Sequence, residues 1–126
     1  MGKAEKLQDF IFRITSKRPK KDENGIDIEN AGKNNGLPAK YQNSIGVRLQ
    51  NYSLDMIEIL DDIQYDKANR LELLSGLLGV LRHINSCFWL CFRLNIISKQ
   101  SAEAGEKLLL DVKYMALSWR KKLSQE

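Results

Sequence analysis

NRLELLSGLLGVLRHINSCFWLCFRLNII, residues 69–97, is the most apolar part of the chain. Its apolar residues form two adjacent stripes at helical spacing. One is Leu74, Leu78, Leu81, Phe88 and Phe92; the other is Leu73, Leu77, Val80, Ile84, Cys87, Cys91 and Leu94. Apolar positions recurring at i, i+3, i+4 and i+7 mark an amphipathic helix, and two such stripes side by side mark a helix covered on several sides. The pattern predicts a central helix over about 67–97. It does not predict a membrane span, because Arg82, His83 and Arg93 fall inside it and charges at those depths are expensive.

Three more helices flank this one. The first, about 4–16, carries Leu7, Phe10, Ile11 and Ile14 on one stripe. Lys17, Arg18, Lys20 and Lys21 follow it, where cations suit a helix C-terminus, and Pro19 stops it. The second, about 43–63, carries Ile45, Leu49, Tyr52, Met56, Ile59 and Ile63, with Leu60 beside them. Pro38 biases Leu37 to an extended conformation, so this helix starts later, with Asn43 or Ser44 as its N-cap. Gly46 in the first turn costs about 1 kcal/mol relative to Ala. Local propensity does not account for it; the close approach of another backbone would. The fourth helix, about 101–123, has Ser98 or Ser101 as cap, Glu103 and Glu106 toward its positive end, and Arg120, Lys121 and Lys122 at its negative end.

Between the first two helices lies DENGIDIENAGKNNG, residues 22–36, a polar insert that reads as a loop and is long for a helix–helix connection. The whole chain, 126 residues with 43% hydrophobic and 29% charged content, reads as one globular domain. The short connections near 64–70 and 97–101 make successive helices antiparallel neighbours. The expected fold is all-α, an antiparallel up-down-up-down four-helix bundle.

The chemistry-bearing residues are few. His83, Cys87 and Cys91 stand at i, i+4 and i+8 and so spread over about 12 Å of helix axis. A single zinc, with ligands about 2.0–2.3 Å away, cannot hold all three. A two-ligand site shared across an oligomer axis stays open beside the plainer reading of two core cysteines and a histidine at the polar edge. Glu58, Asp61, Asp62 and Asp66 could serve acid–base work or bind Mg²⁺, but no second motif completes a site; they read as a solvated helix end, with docking to a basic patch on another subunit as an intermediate alternative. No glycine-rich phosphate loop, nucleophile elbow or HExxH occurs. The expectation is a non-enzymatic chain with no catalytic residue, cofactor or metal. The opening GKAEKLQDF has no apolar core of a signal peptide. With two cysteines read as reduced, a cytoplasmic protein is expected.

Charge is unevenly spread. The net charge is +4 and the isoelectric point about 9.1. Residues 1–21 hold seven basic and two acidic side chains, residues 22–70 five and nine, and residues 71–126 eight and five. One basic cluster comprises Lys17, Arg18, Lys20, Lys21, Lys40 and Arg48, expected at one pole of the bundle; Arg93 is placed away from it. The other comprises Arg120, Lys121 and Lys122. Both are candidate phosphate-binding groups.

LPAKYQNSIGVRL (37–49), NRLELLSGLLGVLRHI (69–84) and LCFRLNIISKQSAEAGEKLLLDVKYMALSWRKKL (90–123) together resemble the Avd-like four-helix-bundle proteins, the accessory variability determinants of diversity-generating retroelements. Leu37-Pro38, Gly46, Arg48, Arg70-Leu71, Ile97-Ser98 and Trp119 carry the resemblance by their order and spacing. It implies the same bundle, assembled as a homopentameric barrel with a basic surface. It also implies a non-enzymatic role: binding the reverse transcriptase and RNA or DNA in support of error-prone cDNA synthesis. Gly46 would then be a helix-packing contact, and Arg48 a nucleic-acid or subunit contact. Leu117-Ser118, where the family usually has glycine, and the longer 22–36 insert depart from the pattern. A related bundle encoded in 23S rRNA intervening sequences and a plain helical adaptor for protein partners are the alternatives.

Overall fold

The computed structural model describes residues 2–16 and 41–125. They form four long helices and, among the described residues, no strand: α1 (Gly2–Thr15), α2 (Val47–Tyr65), α3 (Arg70–Arg93) and α4 (Lys99–Ser124). A π-helical turn, Gln42–Gly46, leads into α2, and a 3-10 turn, Lys67–Asn69, leads into α3. The expected loop at 22–36, the Leu37-Pro38 break and the candidate cations Lys17, Arg18, Lys20, Lys21 and Lys40 lie outside the described residues.

The apolar stripes decide the packing. α1 and α3 each pack against both α2 and α4, which gives a bundle-like ring of neighbours. Leu7 and Ile11 of α1 are fully covered, as are Leu49 and Met56 of α2, Leu74, Leu77 and Ile84 of α3, and Val112 and Ala116 of α4. Burying each large apolar side chain contributes about 1.5–3 kcal/mol. α3 is less covered than its sequence suggests. Leu73, Leu78, Val80, Cys87 and Phe92 are only partly buried, and Leu94 is exposed. The stretch Lys67–Arg93 is long and apolar enough to cross a membrane by length and composition alone, with Arg82 and His83 exposed near its middle.

The helix ends correct three boundaries. α3 stops at Arg93 rather than near residue 97, because Asn95 adopts the left-handed conformation at φ 60°. The Asn95 N–H then reaches the Phe92 carbonyl and the Ile96 N–H reaches that of Cys91, both at 2.9 Å. This is a Schellman ending, and Asn is one of the few side chains that tolerate its φ. Ile96 and Cys91, the positions whose apolar pairing accompanies the motif, are both buried. Ser98 follows at once as the cap of α4, its Oγ accepting from the Ser101 N–H at 3.1 Å. Of the two candidate caps it is therefore Ser98, and α4 begins two residues earlier than expected.

At α2 neither Asn43 nor Ser44 is a cap. The chain is already helical at Tyr41, and the Ser44 hydroxyl donates backwards to the Tyr41 carbonyl at 3.4 Å. Gly46 has helical dihedrals, φ −61° and ψ −52°, so it needs no left-handed freedom. It is buried, which accords with a packed contact. The far end of α2 is closed by Arg70, whose Nε donates to the Ile63 carbonyl at 2.8 Å and Nη2 to that of Gln64 at 3.3 Å. Cations on the last carbonyls of a helix also oppose its negative end. The Asp66 carboxylate accepts from the Asn69 N–H at 3.3 Å and holds the intervening turn.

A close interhelical approach occurs at Gly105 of α4. A β-carbon there would lie 2.8 Å from the Phe10 ring of α1 and 2.8 and 2.9 Å from the Phe88 ring of α3. The two rings meet edge to face, with centroids 5.5 Å apart and planes at 86°. Gly76 and Gly79 of α3 have nothing within 4 Å of an added β-carbon. Replacing Gly105 by Ala gains about 1 kcal/mol of helix propensity but overpacks at a cost of about 1–3 kcal/mol. Gly105→Ala is therefore expected to lower the thermal midpoint, while Gly76→Ala and Gly79→Ala raise it. Equal shifts at all three positions would contradict this packing.

Candidate nucleic-acid interface

Three depressions on the bundle surface are lined by Arg48, Arg120 and Lys122, three of the four described candidate residues. The first lies where α2 begins and α3 ends. Arg48, Asn51, Tyr52 and Asp55 face Cys87 and Leu90 across an opening of about 760 Å³. The end of α1 is tied to this part of α2: the buried Thr15 hydroxyl donates to the Ile11 carbonyl at 2.7 Å and accepts from Gln50 Nε2 at 3.0 Å. Arg48 is the only member of the first expected cluster among the described residues, and it is exposed. Arg93 lies one turn beyond Leu90, which lines this depression. It therefore stands toward the Arg48 pole and not away from it, a correction to the sequence reading.

The second cluster is dispersed by helical geometry. Successive residues of a helix point about 100° apart, so Arg120, Lys121 and Lys122 cannot share one face. Arg120 lines a groove of about 390 Å³ between α3 and α4. Lys122 lines a different pocket, of about 350 Å³, with Arg70 and Trp119. Lys121 is exposed and lines neither.

The α3–α4 groove contains two cations that the sequence reading did not select. Arg82 of α3 and Lys113 of α4 line it together with Arg120, and all three are exposed. Lys113 and Arg120 are two turns apart on one stripe, which was legible in the spacing. Arg82 comes from another helix and only packing brings it in. Leu78, Leu81 and Leu109 form the floor. Glu106 also lines the groove and accepts from Asn85 Nδ2 at 3.4 Å. The Asn85 Oδ1 is buried and has no donor among the described residues.

The remaining candidates are spread apart. His83 is exposed and stacks on Tyr52, centroids 5.6 Å apart with planes at 17°. Cys87 is half-buried, Cys91 buried, and neither is in a disulfide. Among the described residues no three His, Cys, Asp or Glu side chains converge on a point that could hold a metal ion. Glu58, Asp61, Asp62 and Asp66 are all exposed, and the Asp66 carboxylate is occupied in its turn.

Burial pushes the Cys91 thiol up to about 12, with the neighbouring Cys87 adding to the rise. Burial also raises Cys87, while the Arg48 guanidinium pulls it back down. Removing that cation disfavours the thiolate, which is the reactive form. In Arg48→Ala, alkylation of Cys87 by iodoacetamide at pH 8 is expected to slow, because less of the thiol is thiolate, with Cys91 inert in both proteins. An unchanged rate would separate Arg48 from the thiol. Compared with protein-family models, curated proteins and solved structures, the chain matches none.

Proposed function

We propose that this chain is a non-enzymatic, nucleic-acid-binding accessory to the reverse transcriptase of a diversity-generating retroelement. In this reading it binds template RNA or its cDNA, works in the cytoplasm away from membranes, and assembles as a homo-oligomer, pentameric by the resemblance. The observation that carries the nucleic-acid part is the convergence of Arg82, Lys113 and Arg120 on one open groove. Cations gathered on one face are the electrostatic footprint of a polyanion partner. The enzyme partner and the pentamer rest on the resemblance of residues 37–123.

The bundle in this proposal runs up-down-up-down. Support comes from contacts that mirror each other about the turns. Thr15, at the end of α1, meets Gln50 near the start of α2. Asn85 and Glu106 meet at similar distances either side of the turn joining α3 to α4. A protein-binding adaptor is the second reading, favoured by the exposure of Leu54, Leu71 and Tyr114.

Salt dependence separates the two. Each phosphate contact on a single strand contributes about −0.7 to the slope of log affinity against log salt. For a labelled 20-nucleotide RNA, the Arg82→Ala/Lys113→Ala/Arg120→Ala protein is expected to bind more weakly, with the slope reduced by about 2. All three side chains are exposed, so the fold is expected to persist by circular dichroism. Binding that is absent, or insensitive to both salt and these substitutions, would contradict the proposal and favour the adaptor.

A further inference from the structure

Of the three depressions, the pocket at the end of α4 differs in the charge of its lining. Asp55 lines the Arg48 depression and Glu106 lines the α3–α4 groove, each opposing an anion. Among the described residues, no carboxylate lines the third pocket. Its walls are apolar: Ile63 from α2, Leu74 from α3, and Trp119 and Leu123 from α4. Its polar groups are Arg70, Lys122 and the Gln64 amide. Trp119, Lys122 and Leu123 stand at i, i+3 and i+4 and so share one face of α4.

The helix ends at this pole would ordinarily repel an anion, since the C-terminus of a helix carries a partial negative charge. Arg70 offsets this at α2 by covering the Ile63 and Gln64 carbonyls. Lys121 and Lys122 occupy the last turn of α4. The result is a pocket with an indole wall and a cationic rim, of a volume within the usual range of about 300–1,000 Å³ for a bound small group.

We propose that this pocket takes one unstacked base of a single-stranded nucleic acid, the base lying against Trp119 and the adjoining phosphate at Lys122. This rests on the nucleic-acid reading above and adds a site for the base and a preference for single strands. Aromatic side chains bind bases in this way with little sequence preference, because every base has a π-face. A paired and stacked base is not available to the pocket, so a duplex has only the cationic rim to bind.

Tryptophan fluorescence tests the site directly. Trp89 sits edge to face with Phe92, 5.8 Å between centroids, so Trp89→Phe keeps an aromatic ring there and leaves Trp119 as the single tryptophan. Twelve-nucleotide oligo-U, an abasic strand of the same charge and a hairpin duplex are titrated in turn. Binding is followed separately by the anisotropy of a label on the strand. Trp119 is expected to be quenched by oligo-U and unaffected by the abasic strand or the duplex. In the otherwise unaltered chain, Trp119→Leu is expected to weaken oligo-U binding about tenfold, leave duplex binding unchanged, and be partly rescued by Trp119→Phe. Oligo-U that binds without changing Trp119 fluorescence would overturn the base pocket and leave the nucleic-acid reading standing. No binding of any strand would overturn both. The quenching measurement decides the matter even if Trp119→Leu fails to fold.

Discussion

The contact of Phe10, Phe88 and Gly105 ties three helices together at a point where an added β-carbon must displace a ring. An edge-to-face aromatic pair contributes about 0.5–1.5 kcal/mol beyond its buried area, but here its placement matters more. Because Gly105 has no β-carbon, the backbone of α4 can come down onto two rings carried by α1 and α3. That approach fixes how far α4 stands from α3. It thereby contributes to the width of the α3–α4 groove, where Arg82 from one helix and Lys113 and Arg120 from the other are gathered.

The helices themselves were legible because their apolar residues recur with the helical period. The ends were less so. Extending the central helix toward residue 97 follows from Leu94, Ile96 and Ile97, all apolar; the stop lies in Asn95, a single residue whose left-handed conformation ends the helix. Periodicity carries no such signal, although an Asn between apolar residues is a known alternative to Gly at that position. Ser98 was legible as a cap because its chemistry is local. The start of α2 was not: Ser44 has the composition of a cap, but the chain is helical before it and its hydroxyl turns back to Tyr41. Gly46 drew attention in the sequence; Gly105 has a steric role too, in a helix whose pattern gave no reason to single it out.

The candidate site divides along the same line. A run such as Arg120, Lys121, Lys122 looks like one patch in a sequence, yet a helix turns its members toward different neighbours. What a sequence read residue by residue misses is the partner from another helix, Arg82 for Arg120 and Arg70 for Lys122. Arg70 shows the second difficulty. Its place in the Arg70-Leu71 pair reads as a family mark, but its guanidinium closes the carbonyl end of α2. The same side chain thus supports the turn and lines a pocket.

The proposed role joins a cationic bundle surface to a polymerase and its template. It is tested most directly by expressing the tagged chain with the reverse transcriptase and non-coding RNA of its own genome, then resolving the purified material on a salt gradient. The account predicts a complex of polymerase, RNA and several copies of this chain that dissociates as salt rises. A chain that elutes alone at low salt, with neither polymerase nor RNA, would contradict it.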